Sequence, residues 1–175
     1  MSMDTSIKMP LSQRINFRVI LFAGMILLLI GTPFYIYVDS VLSGGIKDRG
    51  SYLEVDLKAM SNFPFDQSNG TINDIPKQWR DLNGKRVMVE GEMWSPSSAA
   101  PELNQFQVVY SIAKCCFNGP AQIQHFVNAK VANGRIPYRY GLVRFVGTLH
   151  VNVERGPDGK ITNVYSLDVD QAEPL

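Results

Sequence analysis

From Val19 to Val38 the chain reads VILFAGMILLLIGTPFYIYV without a charged residue. That is about the twenty residues, at 1.5 Å of rise each, that cross the hydrocarbon core of a bilayer. The stretch is expected to be a transmembrane helix. Gly31 and Pro33 would break a helix in water, but both are tolerated in membrane spans, and Phe34, Tyr35 and Tyr37 supply aromatic residues for one interface.

The flanks give the span a direction. Lys8, Arg14 and Arg18 precede it against a single Asp4, whereas Asp39 follows directly and the next basic residue is Lys47. The positive-inside rule then places residues 1–18 as a cytoplasmic tail and everything after the span outside. A cleaved signal peptide competes with this reading, but its apolar region is normally shorter and ends in an A-x-A-like site, to which SVLSGG is a weak match. No lipobox-like cysteine follows the span. The expectation is a single-pass protein of a bacterial inner (plasma) membrane, with 39–51 as linker and 52–175 as an extracytoplasmic domain.

After residue 38 the chain has 14 Lys and Arg against 15 Asp and Glu, with no block of one sign. This argues against a nucleic-acid partner, which demands a basic surface. The bilayer, through the N-terminal helix, and another envelope protein are the partners expected.

The exported part is read as mainly β. A short strand is expected around Tyr52–Leu57, then a loop, then a two-turn helix in IPKQWRDL with Asp74 as N-cap and Gly84 past its end. Trp79 and Leu82 of that helix are expected to cover one end of the strands beyond it. From Lys85 onward period-two alternation dominates, giving strands RVMVEGEMW, QFQVVYSI, IQHFVNAKV, GLVRFVGTLHVNVE and ITNVYSLDVDQ. The last two are joined by RGPDGK, a strong hairpin signal. Five mostly antiparallel strands, with Gly91 and Gly147 where a tight sheet must bend, suggest a small OB-like (oligonucleotide- and oligosaccharide-binding) barrel. The usual helix between its third and fourth strands is missing from ANGRIPYRY. A small β-sandwich is the alternative.

The segments VDLKAMSNFPFDQSNGTINDIPKQWRDLNGKRVMVEGEMWSPSSA, FQVVYSIAKCCFNGPAQIQ and VGTLHVNVERGPDGKITNVYSLDVDQAEPL together resemble a family of uncharacterised bacterial envelope proteins. These carry a CCFG-x-P-type segment on an OB-like domain behind an N-terminal anchor or lipid attachment. In this chain Asn118 stands before the glycine of that segment. The resemblance implies an accessory envelope component beside a transport system. It carries over no catalytic residue.

Cys115 and Cys116 are the only cysteines, and His125 is one of two histidines. Outside the cytoplasm an even cysteine count favours a disulfide. Neighbouring Cα atoms, however, are about 3.8 Å apart, below the roughly 4.4 Å minimum a disulfide prefers, so a vicinal bond is strained and readily reduced. Zinc or copper is a second reading, with Cys115, Cys116 and His125 as ligands, but paired cysteines in zinc sites normally stand two to four residues apart. If strict alternation holds, His125 faces the core and His150 faces solvent, so the two do not complete one cage. A redox or nucleophilic thiol is a third reading, with His125 as the nearby base. The remaining reading is ordinary packing at a strand end.

Trp94, Tyr110, Tyr138, Tyr140 and Tyr165 are candidates for an aromatic binding surface. Arg135, Arg139 and Arg144, with Tyr138 and Tyr140, form the densest basic and aromatic cluster. Glu90 and Glu92 share one face of a strand, where a pair can act as acid and base or hold a cation. No glycine-rich phosphate loop, HExxH or GxSxG is present. The function expected is therefore non-enzymatic: a membrane-anchored binding or accessory module requiring no cofactor. The alternative is a metal-binding or thiol-redox protein using Cys115 and Cys116.

Overall fold

The computed structural model describes residues 17–42, 44–95, 101–113 and 121–175 of the chain. Contacts divide the chain into two units, residues 1–43 and 44–175.

The first unit contains α1 (Phe17–Leu42, 26 residues). Its stretch Phe17–Tyr35 is long and apolar enough to cross a membrane, and none of it is buried in protein. A signal sequence meets the same description. Pro33 lies inside the helix, where it removes the N–H that would reach the Leu29 carbonyl. One residue earlier, the Thr32 hydroxyl donates to the Leu28 carbonyl at 2.8 Å, a back-bond of the kind Ser and Thr make within helices.

In the second unit the segment expected as linker already holds structure. Strand β1 (Ile46–Asp48) pairs antiparallel with β2 (Leu53–Val55). The tight turn between them is closed by Asp48, whose carboxylate accepts from the Gly50 N–H at 2.7 Å. Asp56 then caps α2 (Leu57–Ser61), accepting from the Lys58 and Ala59 N–H groups, which ends the strand expected to run through Leu57.

The expected helix beginning at Asp74 is divided. Ile72–Asp74 form a single 3-10 turn, and α3 (Lys77–Arg80) starts only after Pro76. The Asp74 carboxylate turns back to the Thr71 N–H at 2.7 Å, so it serves the earlier turn. Trp79 and Leu82 are buried in the core.

Five strands carry the rest. They are β3 (Lys85–Trp94), β5 (Gln105–Val109), β6 (Val127–Val131), β8 (Leu142–Arg155) and β9 (Ile161–Pro174). Two-residue strands β4 (Glu102–Leu103) and β7 (Ile136–Pro137) pair only with each other. With β1 and β2 the five make one seven-stranded sheet. The main pairings run β3 to β5, β5 to β6, β6 to β9, β9 to β8 and, through most of the length of β3, β8 back to β3. All are antiparallel except β6 with β9.

Alternation sets which side is packed. Val87, Val89 and Met93 of β3, Phe106 and Val108 of β5, and Val127 and Ala129 of β6 belong to one apolar core. Gly91 lies in the same inward row, and a Cβ there would come within 2.6 Å of the Val108 Cγ1 and the Val109 carbonyl oxygen. Only glycine lets the strands cross that closely.

Two strands are shorter than the sequence pattern suggests. The second stops at Val109. The third loses its first residues, because Ile123–His125 form a 3-10 turn. The cause is Gln124, 1% exposed. Its Oε1 accepts from Gln67 at 2.9 Å, and its Nε2 donates to the Phe63 carbonyl at 3.2 Å and to Gln122 at 2.7 Å. These bonds tie the turn to the loop at 63–67 and take the place of a strand ladder.

Candidate functional site: a polar groove across the sheet

The outward residues of the strands line up across the sheet. Trp94 stands opposite Gln107, Gln107 opposite Asn128, Asn128 opposite Ser166, and Ser166 opposite His150. Two residues along, a second row runs Gln105, Lys130, Asp168, Thr148 and Arg86. Neighbouring strands are about 4.8 Å apart, so each row is a ladder of hydrogen-bonding groups at that spacing.

Much of this surface lines an open groove of about 780 Å³, with Trp94 and Ser95 at one margin and Glu154, Ser166 and Asp168 at the other. A smaller pocket of about 160 Å³ adjoins it, sharing Gln107, Asn128 and Asn163 and bounded by Ile123, Phe126 and Thr162. Trp94 is half-buried, its ring tilted against Phe126 at a centroid distance of 6.1 Å.

Several lining groups are held in place. The Gln107 amide donates to Asn128 Oδ1 at 2.8 Å. Asn163, 5% exposed, donates through Nδ2 to Glu154 Oε2 at 3.2 Å and to Ser166 Oγ at 2.6 Å. One buried amide thus orients a carboxylate and a hydroxyl, and leaves the Ser166 O–H free to donate. His150 Nε2 lies 3.0 Å from Asp168 Oδ2.

The residues singled out in the sequence are dispersed. Cys115 and Cys116 lie outside the described residues. His125 is not on a strand but in the 3-10 turn; it is half-buried, and burial lowers its pKa. Its Nδ1 is buried and has no hydrogen-bond partner among the described residues. His150 faces solvent. Among the described residues no group of three or more His, Cys, Asp or Glu could hold a metal ion.

Tyr165 leaves the aromatic surface: it is fully buried, its hydroxyl reaches the Met60 carbonyl at 3.4 Å, and desolvation raises its pKa. Tyr138 donates to the Met93 carbonyl at 3.1 Å and meets Tyr140 edge-on at 5.1 Å. Trp94 alone of the five lines the groove. Arg144 is drawn out of the basic cluster by Glu90, whose Oε1 accepts from its Nη2 at 2.8 Å; the same pairing raises the guanidinium's pKa. Glu92 instead accepts from the Ile112 N–H at 2.8 Å, so the two glutamates serve separate structural partners.

Sequence reasoning missed Gln107, Asn128, Asn163 and Ser166. Gln107, Asn128 and Ser166 read as ordinary solvated surface until register places the strands side by side, and Asn163 is a buried amide whose partners are set only by the fold.

The chain is thus a mainly β protein with one apolar N-terminal helix. No family model matches its sequence, and no curated protein does. Among solved structures it is similar to a DUF3299 family protein from Pseudomonas aeruginosa, at 16% identity and a TM-score of 0.46, covering 72% of this chain and 97% of the other.

Proposed function

We propose that this chain is a membrane-anchored, extracytoplasmic binding module of the bacterial cell envelope, non-enzymatic, whose β-domain is an OB-like barrel. In this reading α1 holds it in the inner membrane with its N-terminus cytoplasmic, and the domain serves as an accessory beside another envelope component such as a transport system. The barrel is supported by the strand order, in which five strands pair in the sequence first, second, third, fifth, fourth and back to first, with only the third and fifth parallel. The observation that carries the binding role is the polar row running from Trp94 to Ser166 along the groove, on the face where small barrels of this type take their ligands.

The test is a photo-reactive residue in place of Gln107, and as control in place of exposed Lys58, in the full chain in its own membrane. Illumination is expected to yield an adduct at position 107 and not at 58. Equal adducts at both positions, or none at either, would overturn the binding reading.

The second reading, metal or thiol chemistry at Cys115 and Cys116 with zinc or copper, is favoured by His125. Burial lowers its pKa and so favours the neutral imidazole, the form in which histidine binds metals. Metal analysis and thiol counting before and after reduction separate the two. Stoichiometric metal abolished by replacing both cysteines with serine would support the second reading; two free, unreactive thiols without metal would end it.

A further inference from the structure

We infer that the groove takes a linear, uncharged polyhydroxylated chain, a glycan, lying across the strands with one sugar ring stacked on Trp94. The inference rests on the binding role proposed above and names its ligand class.

Three features of the groove converge on this chemistry. The first is charge: its lining carries one cation, Lys130, against two carboxylates, Glu154 and Asp168. A strand of nucleic acid would bring a phosphate per residue to a surface that repels it.

The second is hydrogen-bonding capacity. Amide side chains both donate and accept, as sugar hydroxyls do, and Gln107 and Asn128 stand on adjacent strands with their second amide groups unspent by their mutual bond. Asn163, nine-tenths buried, positions Glu154 and Ser166 beside them. A carboxylate with a free oxygen and a hydroxyl with a free proton suit a vicinal diol better than a peptide backbone or a phosphate.

The third is spacing. From Trp94 to Ser166 the row crosses three strand intervals, about 14 Å in all, room for about three sugar rings. Trp94 at its end offers an apolar ring face of the kind that stacks against a flat apolar surface. A single sugar would use only one station of the row, so affinity is expected to grow with chain length.

The experiment uses the full chain in nanodiscs, titrated with chitotetraose, with N-acetylglucosamine and with a thymidine tetranucleotide, and followed by calorimetry and tryptophan fluorescence. Chitotetraose is expected to bind at least about tenfold tighter than the monosaccharide, with little dependence on salt. Trp94→Ala is expected to weaken it about tenfold, the scale of one lost stacking contact. Gln107→Ala, a surface change that spares the fold, is expected to weaken it as well. Chitotetraose that fails to bind, or binds both variants as well as the parent, overturns the glycan inference. Tetranucleotide binding that collapses with added salt also overturns the ligand class, yet leaves the binding role standing. Loss of every ligand together with no adduct at position 107 removes both.

Discussion

Gly147 of β8 lies so close to Asp168 of β9 that a Cβ on the glycine would overlap the aspartate carbonyl oxygen. The register between the two strands shifts at this point: Val146 faces Gln171 but Gly147 faces Val169, so Asp170 is the extra residue of a bulge. The bulge bends the sheet, and only a residue without a side chain lets the backbones meet there. Asp170 meanwhile reaches Arg86 at 2.6 Å, tying the bulged strand to β3. The outward face that holds Asp168 and Ser166 in the groove therefore depends on a glycine that never touches it.

Gly147→Ala is expected to destabilise the domain by about 2 kcal/mol or more, the scale of forced backbone displacement in a packed site. The neighbouring outward change Thr148→Ala should stay within about 0.5 kcal/mol. Denaturant midpoints of the two variants check this; similar losses in both would mean that the strands relax around a methyl group.

Gln124 is the second structural dependence. Replacing it by Leu leaves the Phe63 carbonyl and one Gln67 amide hydrogen without their partner, and each such buried group costs about 1–3 kcal/mol. Gln124→Leu is expected to lose stability on that scale and to raise hydrogen exchange at the Ile123 amide, which Gln67 holds at 2.9 Å. Unchanged exchange at Ile123 would show that the loop at 63–67 is held by something else.

Burial raises the Tyr165 pKa above its unfolded value near 10. The contribution of the neutral buried phenol is complete below that pH. It is lost as pH rises toward the folded value, because only the unfolded chain then gains by ionising. The parent is expected to lose more stability between pH 8 and 11 than Tyr165→Phe, while at pH 8 the two should differ by about 1 kcal/mol or less, given a single long hydrogen bond. Parallel pH profiles would contradict the buried phenol.

For His125 the sign is opposite. Its folded pKa lies below the unfolded value near 6.5, so its contribution is present above that pH and lost as pH falls through the folded value. Unfolding midpoints from pH 7.5 to 5 should fall more steeply for the parent than for His125→Leu. In a chain whose cysteines and His125 bind metal, adding zinc would steepen the parent's slope, because the metal is held only by deprotonated ligands and is lost as pH falls, which connects this measurement to the second functional reading.

Period-two alternation made the five long strands legible, because a sheet packed on one side must repeat apolar residues every second position. The hairpin at Gly156–Gly159 was equally legible, since glycine, proline and aspartate there have few other uses, and the Gly156 N–H does bond the Lys160 carbonyl at 2.9 Å. Alternation failed where a distant partner intervened. Ile123–His125 alternates as a strand would, but Gln124 is claimed by Phe63 and Gln67, more than fifty residues away in sequence. Tyr165 likewise could not be told from a surface tyrosine by its residue type.

The amino-acid sequence by itself determined the apolar N-terminal helix and the inward rows of the strands, because both follow from local periodicity and from the cost of leaving apolar groups in water. It also set the near balance of charge after residue 38. Tertiary structure alone decided that Trp94, Gln107, Asn128 and Ser166 form one row. These residues are separated by up to 72 positions, and only the pairing register of four strands places their side chains on one surface.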